Sequence, residues 1–141
     1  MLENNQKKQE EVKVSETGDK ISILLVDDDK FLIEMYAIKF KASGLAVDVA
    51  FSGTEALAKL RAGAFFNIIL MDIIMPVMDG LEVLDTIKKE KLAEKSLIVI
   101  ITNQADDSEK ALSLGADGFI VKAMSVPSEV VTKVLEMYKS R

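Results

Sequence analysis

From Ile21 onward the chain alternates short apolar runs with longer amphipathic stretches. The short runs are ISILLV (21–26), LAVDVAF (45–51), NIILM (67–71), SLIVIIT (96–102) and GFIVK (118–122). Four of the five are nearly continuous in Val, Ile, Leu or Phe, the pattern of parallel strands covered on both faces. The second alternates more and is expected nearer a sheet edge.

Helical spacing fills the intervals. Residues 30–43 place Leu32, Met35, Tyr36 and Phe40 on one stripe, and residues 54–62 place Ala56, Leu57 and Leu60. Residues 80–91 carry Leu81, Leu84 and Ile87, and the shorter 107–114 carries Ala111 and Leu114. The last stretch, 127–139, aligns Val130, Val131, Val134, Leu135 and Tyr138. Asp106, Asp107 or Ser108 is expected to cap the fourth helix and Ser125 the fifth. Gly44 and Gly115 fall just past helix ends, where a left-handed residue is favoured. Five strands alternating with five helices predict an α/β fold, a parallel sheet with helices on both faces. Such sheets bind ligands outside the carboxyl ends of their strands.

Residues 1–20 differ in composition. Two valines and one leucine among many Glu, Lys, Asn and Gln cannot offset the entropy of ordering, so a flexible polar tail is expected there and one domain over 21–141. The tail opens without the apolar core of a signal peptide, and no run approaches the roughly 20 apolar residues of a membrane span, so the expected setting is the cytoplasm, without membrane contact.

Composition narrows the chemistry. The 141 residues include no histidine and no cysteine. That excludes Ser-His or Cys-His nucleophile pairs, His/Cys zinc sites, disulfides and dithiol redox motifs. Lys and Arg total 18 against 23 Asp and Glu, a net charge of −5, so nucleic-acid binding is not expected. Lys7-Lys8 is too short for a basic patch. Met71, Met75, Met78 and Met124 read as packing rather than as a soft-metal site.

Charges and a hydroxyl stand at the strand ends. The first strand runs into Asp27-Asp28-Asp29, the third into Asp72, the fourth ends in Thr102 and the fifth in Lys122. Strand propensity asks for none of these charges, and the topology gathers them at one sheet edge. Clustered carboxylates repel, and a hard divalent ion such as magnesium, which prefers carboxylate and phosphate oxygens, relieves that. A carboxylate beside such an ion and a lysine is suited to accept a phosphoryl group.

VDDD (26–29), LMDIIMPVMDG (70–80), IIT (100–102) and GADGFIVK (115–122) together resemble the receiver domain of bacterial two-component response regulators, over about 120 residues. The resemblance implies a flavodoxin-like, doubly wound five-stranded sheet of order 2-1-3-4-5. It implies a phosphorylation-activated switch that is not a turnover enzyme. Asp72 would accept the phosphoryl group from a histidine kinase or phosphotransfer protein. Magnesium would be held by Asp28 directly, by Asp27 through water, by Asp72, and by the backbone carbonyl of Ile74. Lys122 would pair with the phosphoryl group, Thr102 would move to hydrogen-bond it, and Phe119 would be the aromatic switch. Met75-Pro76 and Asp79-Gly80 would form the turn into the third helix. Asp29 is assigned to the surface, with no role. With no histidine here, the phosphohistidine must sit on another protein.

Three positions depart from the family pattern. Ala123 stands where proline is usual, often after a cis bond. A non-proline cis bond costs about 3 kcal/mol, so either that geometry is lost or the bond is strained, and a mobile loop is expected at 123–126. Asn103 replaces a small residue, and its bulk is expected to narrow access. Ile74 and Gln104 occupy positions that tune loss of the phosphoryl group to water. An apolar Ile74 cannot orient a water, so slow self-dephosphorylation is expected.

Two other readings compete with this one. A haloacid-dehalogenase-like phosphatase would use the Asp-x-Asp of Asp27 and Asp29, but Phe31 replaces its threonine or valine and Asp72 goes unexplained. A degenerate receiver would bind partners without phosphorylation. The sequence stops directly after the fifth helix, so output is expected through the face of the fourth helix, fifth strand and fifth helix, toward a protein target, a second copy or the next phosphocarrier.

Overall fold

A computed structural model describes residues 18–141 and forms all five expected strands. They are β1 (Ser22–Val26), β2 (Ala46–Ala50), β3 (Ile68–Met71), β4 (Leu97–Thr102) and β5 (Gly118–Val121). Every pairing is parallel, and the order is β2-β1-β3-β4-β5. The three central strands are buried along nearly their whole length, which is why their sequences barely alternate. As its alternation predicts, β2 lies at an edge; β5 forms the other. Residues 1–17, most of the expected tail, lie outside the described part.

The helices are α1 (Lys30–Ala42), α2 (Gly53–Arg61), α3 (Gly80–Lys89), α4 (Ser108–Ser113) and α5 (Pro127–Ser140). They divide between the two sheet faces. Tyr36, Ala37 and Phe40 of α1 join Val130, Val131, Val134 and Tyr138 of α5 over Ile23, Leu25, Leu70 and Val99. On the other face, Leu57 and Leu60 of α2, Val83, Leu84 and Ile87 of α3, and Ala111 of α4 cover Leu24, Ile69, Met71 and Ile100. Burying a large apolar side chain contributes about 1.5–3 kcal/mol, so these two layers supply most of the driving force.

The buried stripe of α1 is Ile33, Tyr36, Ala37 and Phe40, whereas Met35 points outward. The helix is apolar nearly all round, with Phe31 and Ile38 also exposed, so spacing alone could not choose its inner face. Capping differs from expectation at three places. Asp29 caps α1, its Oδ1 accepting from Leu32 N–H at 3.1 Å. No side chain caps α4, where a 3₁₀ turn over Ala105–Asp107 leads into the helix instead. Ser125 does not cap α5; Val126 is the boundary residue, Pro127 opens the helix, and Glu129 Oε1 accepts from Val126 N–H at 3.1 Å. The Ser125 hydroxyl instead meets Lys133 Nζ at 2.6 Å. Gly44 and Gly115 take positive φ past α1 and α4, as expected.

At the amino-terminal edge of the sheet, Asn67 ties three elements together. Its Oδ1 accepts from Ser22 N–H at 2.9 Å, and its Nδ2 donates to the Tyr138 hydroxyl at 3.1 Å. The opposite, carboxyl-terminal edge carries the charges.

Candidate functional site

Each β-strand delivers its last side chain to this edge because the ladder holds the strands in register. Val26 is aligned with Met71, Met71 with Ile100, and Thr102 with Val121. The residues that follow, Asp27, Asp72 and Lys122, therefore converge although 95 positions separate the first from the last. Lys122 Nζ lies 2.8 Å from Asp27 Oδ2 and 3.0 Å from Asp72 Oδ2. Asp27 and Asp72 are buried, at 6% and 5% exposure. Their other oxygens are held locally: Asp27 Oδ1 accepts from Asp29 N–H at 3.0 Å, and Asp72 Oδ1 from Ile73 N–H at 2.8 Å. Both carboxylates are thus fixed in direction before any ligand arrives.

Asp28 is exposed, yet it can bring an oxygen within 4.8 Å of oxygens from Asp27 and Asp72. The three form a cluster able to hold a metal ion. An all-oxygen set with two buried members fits a hard divalent cation and offers nothing to a soft one. Burial pushes the Asp27 carboxyl above its ordinary value, and Asp72 adds to that, while Lys122 and the Asp29 N–H pull the other way. For Lys122, burial pulls the ammonium down, but the hydrogen bonds it donates to both carboxylates outweigh that and hold the group above its usual value. The ammonium is therefore charged at neutral pH.

Thr102 is 1% exposed, and its Oγ1 accepts from Gln104 N–H at 3.4 Å. The structure thus turns this hydroxyl toward its own loop. Phe119 is half-buried, packed against the core that α2, α3 and α4 cover. Ile74 lies open at 56% exposure beside Asp72. Asp79 and Glu82 form a capping box at the start of α3. Gly80 is there for space: a Cβ would fall on the Asp72 carbonyl oxygen, so only glycine lets α3 begin against that backbone.

Two features were not read from the sequence. Tyr36, a core position of α1, has its phenol raised chiefly by burial, with smaller effects from the charges of Lys122, Asp27 and Asp72. Asn103 and Ala123, treated as separate departures, meet: Ala123 N–H donates to Asn103 Oδ1 at 2.8 Å. No cis peptide occurs among the described residues, and Lys122–Met124 forms a 3₁₀ turn, so the geometry usual with proline is replaced.

Comparison with known proteins bears on the family and the fold. The sequence profile of the response regulator receiver domain matches residues 23–135. The response regulator SaeR of Staphylococcus aureus is 30% identical over 112 residues, which cover 79% of this chain and 48% of that protein. The chain thus spans about half the length of the curated relatives it matches. Among solved structures, a CheY-like receiver domain protein from Methanospirillum hungatei superposes with a TM-score of 0.76 at 30% identity, covering 85% of this chain and 94% of that one. The receiver domain of the Francisella response regulator 1452 gives 0.76 at 27%, with 86% and 98% covered. The chemotaxis protein CheY4 of Vibrio cholerae gives 0.75 at 27%, with 83% and 98% covered. These matches leave the haloacid-dehalogenase-like reading without support. With five parallel strands in the order 2-1-3-4-5 and an acidic cluster bridged by a lysine at their ends, the chain belongs to the response regulator receiver domain family.

Proposed function

We propose that this domain is a phosphorylation-activated signalling switch that takes a phosphoryl group onto Asp72. The observation that carries the reading is the Lys122 ammonium bridging Asp72 and Asp27 in a cluster with Asp28. Asp72 is buried and aimed by the Ile73 N–H, so one oxygen is fixed while the other faces Lys122. In the transfer, an Asp72 oxygen attacks phosphorus. A P–O bond forms as the P–N bond of a partner's phosphohistidine breaks, and the departing imidazole keeps the electron pair and takes a proton from solvent. Lys122 is placed to follow the transferred oxygens, and Thr102 to donate its hydroxyl once it leaves Gln104.

Magnesium, held by Asp27, Asp28, Asp72 and the Ile74 carbonyl, would supply positive charge where carboxylates and phosphoryl oxygens meet. The donor set supports this ion, since bringing a phosphoryl group to three carboxylates needs more than one lysine to balance it. A histidine kinase or phosphotransfer protein would deliver the group. Exposed Phe31, Ile74, Val77 and Met124 follow the strand ends and offer that partner apolar contact. Output would pass to a protein target, or to a second copy, through the face of α4, β5 and α5.

Incubation with acetyl phosphate and magnesium, followed by mass spectrometry, tests the reading. One phosphoryl adduct is expected, lost in Asp72→Asn and lost on chelation. A wild-type chain that forms no adduct would instead be a degenerate binding module.

A further inference from the structure

We propose that Asn103 is a positioning residue for Lys122, acting through the Ala123 amide; the kinetic part of this rests on Asp72 being the phosphoacceptor. The β4–β5 ladder ends at the pair Thr102 and Val121. One residue beyond, the Asn103 side chain accepts from Ala123 N–H at 2.8 Å and adds a last rung. Lys122 lies between that rung and the last backbone pair, so its Cα is held on both sides. On the far side, Ser125 N–H reaches the Lys122 carbonyl at only 3.4 Å, a weak restraint by comparison.

The position matters because of leverage. Lys122 leaves the edge strand β5 and passes β4 to reach Asp72 after β3 and Asp27 after β1. A small swing of its backbone becomes a larger one at Nζ, the end of a flexible stem. The same rung fixes the residue directly after Thr102, so two of the groups assigned to the phosphoryl oxygens share one restraint. Proline at 123 would have no N–H to give, and a small residue at 103 would have no acceptor. Asn103 and Ala123 thus replace, with a hydrogen bond, the rigidity that a proline ring would impose.

Two measurements on the whole chain separate this from an idle surface contact. The first is amide exchange at Ala123 without magnesium or phosphodonor. Asn103→Leu, similar in size but without an acceptor, is expected to speed exchange about fivefold to tenfold, and Asn103→Asp to keep the protection. The second is the rate of adduct formation with acetyl phosphate at about 0.5 M salt, where surface charge is screened. Asn103→Leu is expected to lower that rate by on the order of tenfold with the melting temperature unchanged, and Asn103→Asp to restore it. Unchanged Ala123 exchange in Asn103→Leu overturns the rung. Faster exchange with an unchanged rate overturns the positioning role. A wild-type chain that forms no adduct overturns both the phosphoacceptor reading and the positioning role, while the exchange result still decides whether the rung exists.

Discussion

At Lys122 one ammonium serves two buried carboxylates, with side-chain exposures of 15%, 8% and 7% for Lys122, Asp27 and Asp72. Removing one member of a buried ion pair costs about 3 kcal/mol or more, less where a carboxylate can take up a proton. Asp27, already raised by burial, is the group that would do so. Lys122→Ala is therefore expected to lower the melting temperature in chelator. Magnesium should recover more of that loss than it adds to the wild type, since the ion no longer competes with the ammonium. Calorimetry of both proteins with and without magnesium checks this; an equal magnesium shift would count against a shared site. Ile74 offers a second test. It is exposed beside Asp72 and has no group to orient water. The phosphoryl half-life is expected to be shorter in Ile74→Asn than in the wild type, and a longer one would reverse the assignment. Val77 is a β-branched residue at φ 70° and 99% exposure, the centre of a tight turn closed by Met78 N–H to the Pro76 carbonyl at 2.7 Å. Such a residue stores strain without compensating contacts, so Val77→Gly is expected to stabilise the fold by about 1 kcal/mol, read from urea unfolding.

Among the helices, α3 begins directly against the Asp72 backbone. Its first residue, Gly80, donates its N–H to the Ile73 carbonyl at 2.8 Å, and its missing side chain leaves room for the Asp72 carbonyl. Gly80→Ala must push aside the backbone of Asp72 and Ile73, both of which are buried. The substitution is expected to destabilise by more than about 2 kcal/mol and to slow adduct formation, whereas Gly63→Ala, with nothing near its Cβ but a positive φ, should cost stability alone. The sequence showed the elements themselves plainly, since buried parallel strands are long apolar runs and little else reads like them. It also showed which strands end in charge, because Asp72 and Lys122 interrupt such runs. It did not show the inner face of α1, where apolar residues surround the helix. Nor did it show the meeting of Asn103 with Ala123, because a hydrogen bond between two loops has no period. Nor does the sequence single out Asp29 as a cap, because beside two other acids at the same strand end that role depends on the backbone turning at that one residue.

For the molecule as a whole, the question is how a change at one sheet edge reaches a face that a partner can read. The central strands are locked between two packed layers and have no room to shift. α4 is different: it has six residues, one of them buried, and no side-chain cap. Thr102, Asn103 and Gln104 lead from the site into the 3₁₀ turn that precedes it, and Phe119 on β5 packs on the core cluster that holds its Ala111. Low local stability of this kind marks the segment that a ligand can reorganise. On the proposed function, a phosphoryl group on Asp72 would bias it only by the contacts it makes in one state and not the other, and moving a population from 1:99 to 99:1 takes about 5.5 kcal/mol. Those contacts are assigned to Lys122 and Thr102. Amide exchange over residues 105–114 is therefore expected to be the fastest of any helix in the free protein and to slow when beryllofluoride and magnesium stand in for the phosphoryl group. Thr102→Ala should still bind beryllofluoride, because Asp72 and Lys122 remain, yet lose most of the slowing in α4. If α4 slows equally in both proteins, Thr102 carries no signal, and the coupling must run through Lys122 and its Asn103 rung instead.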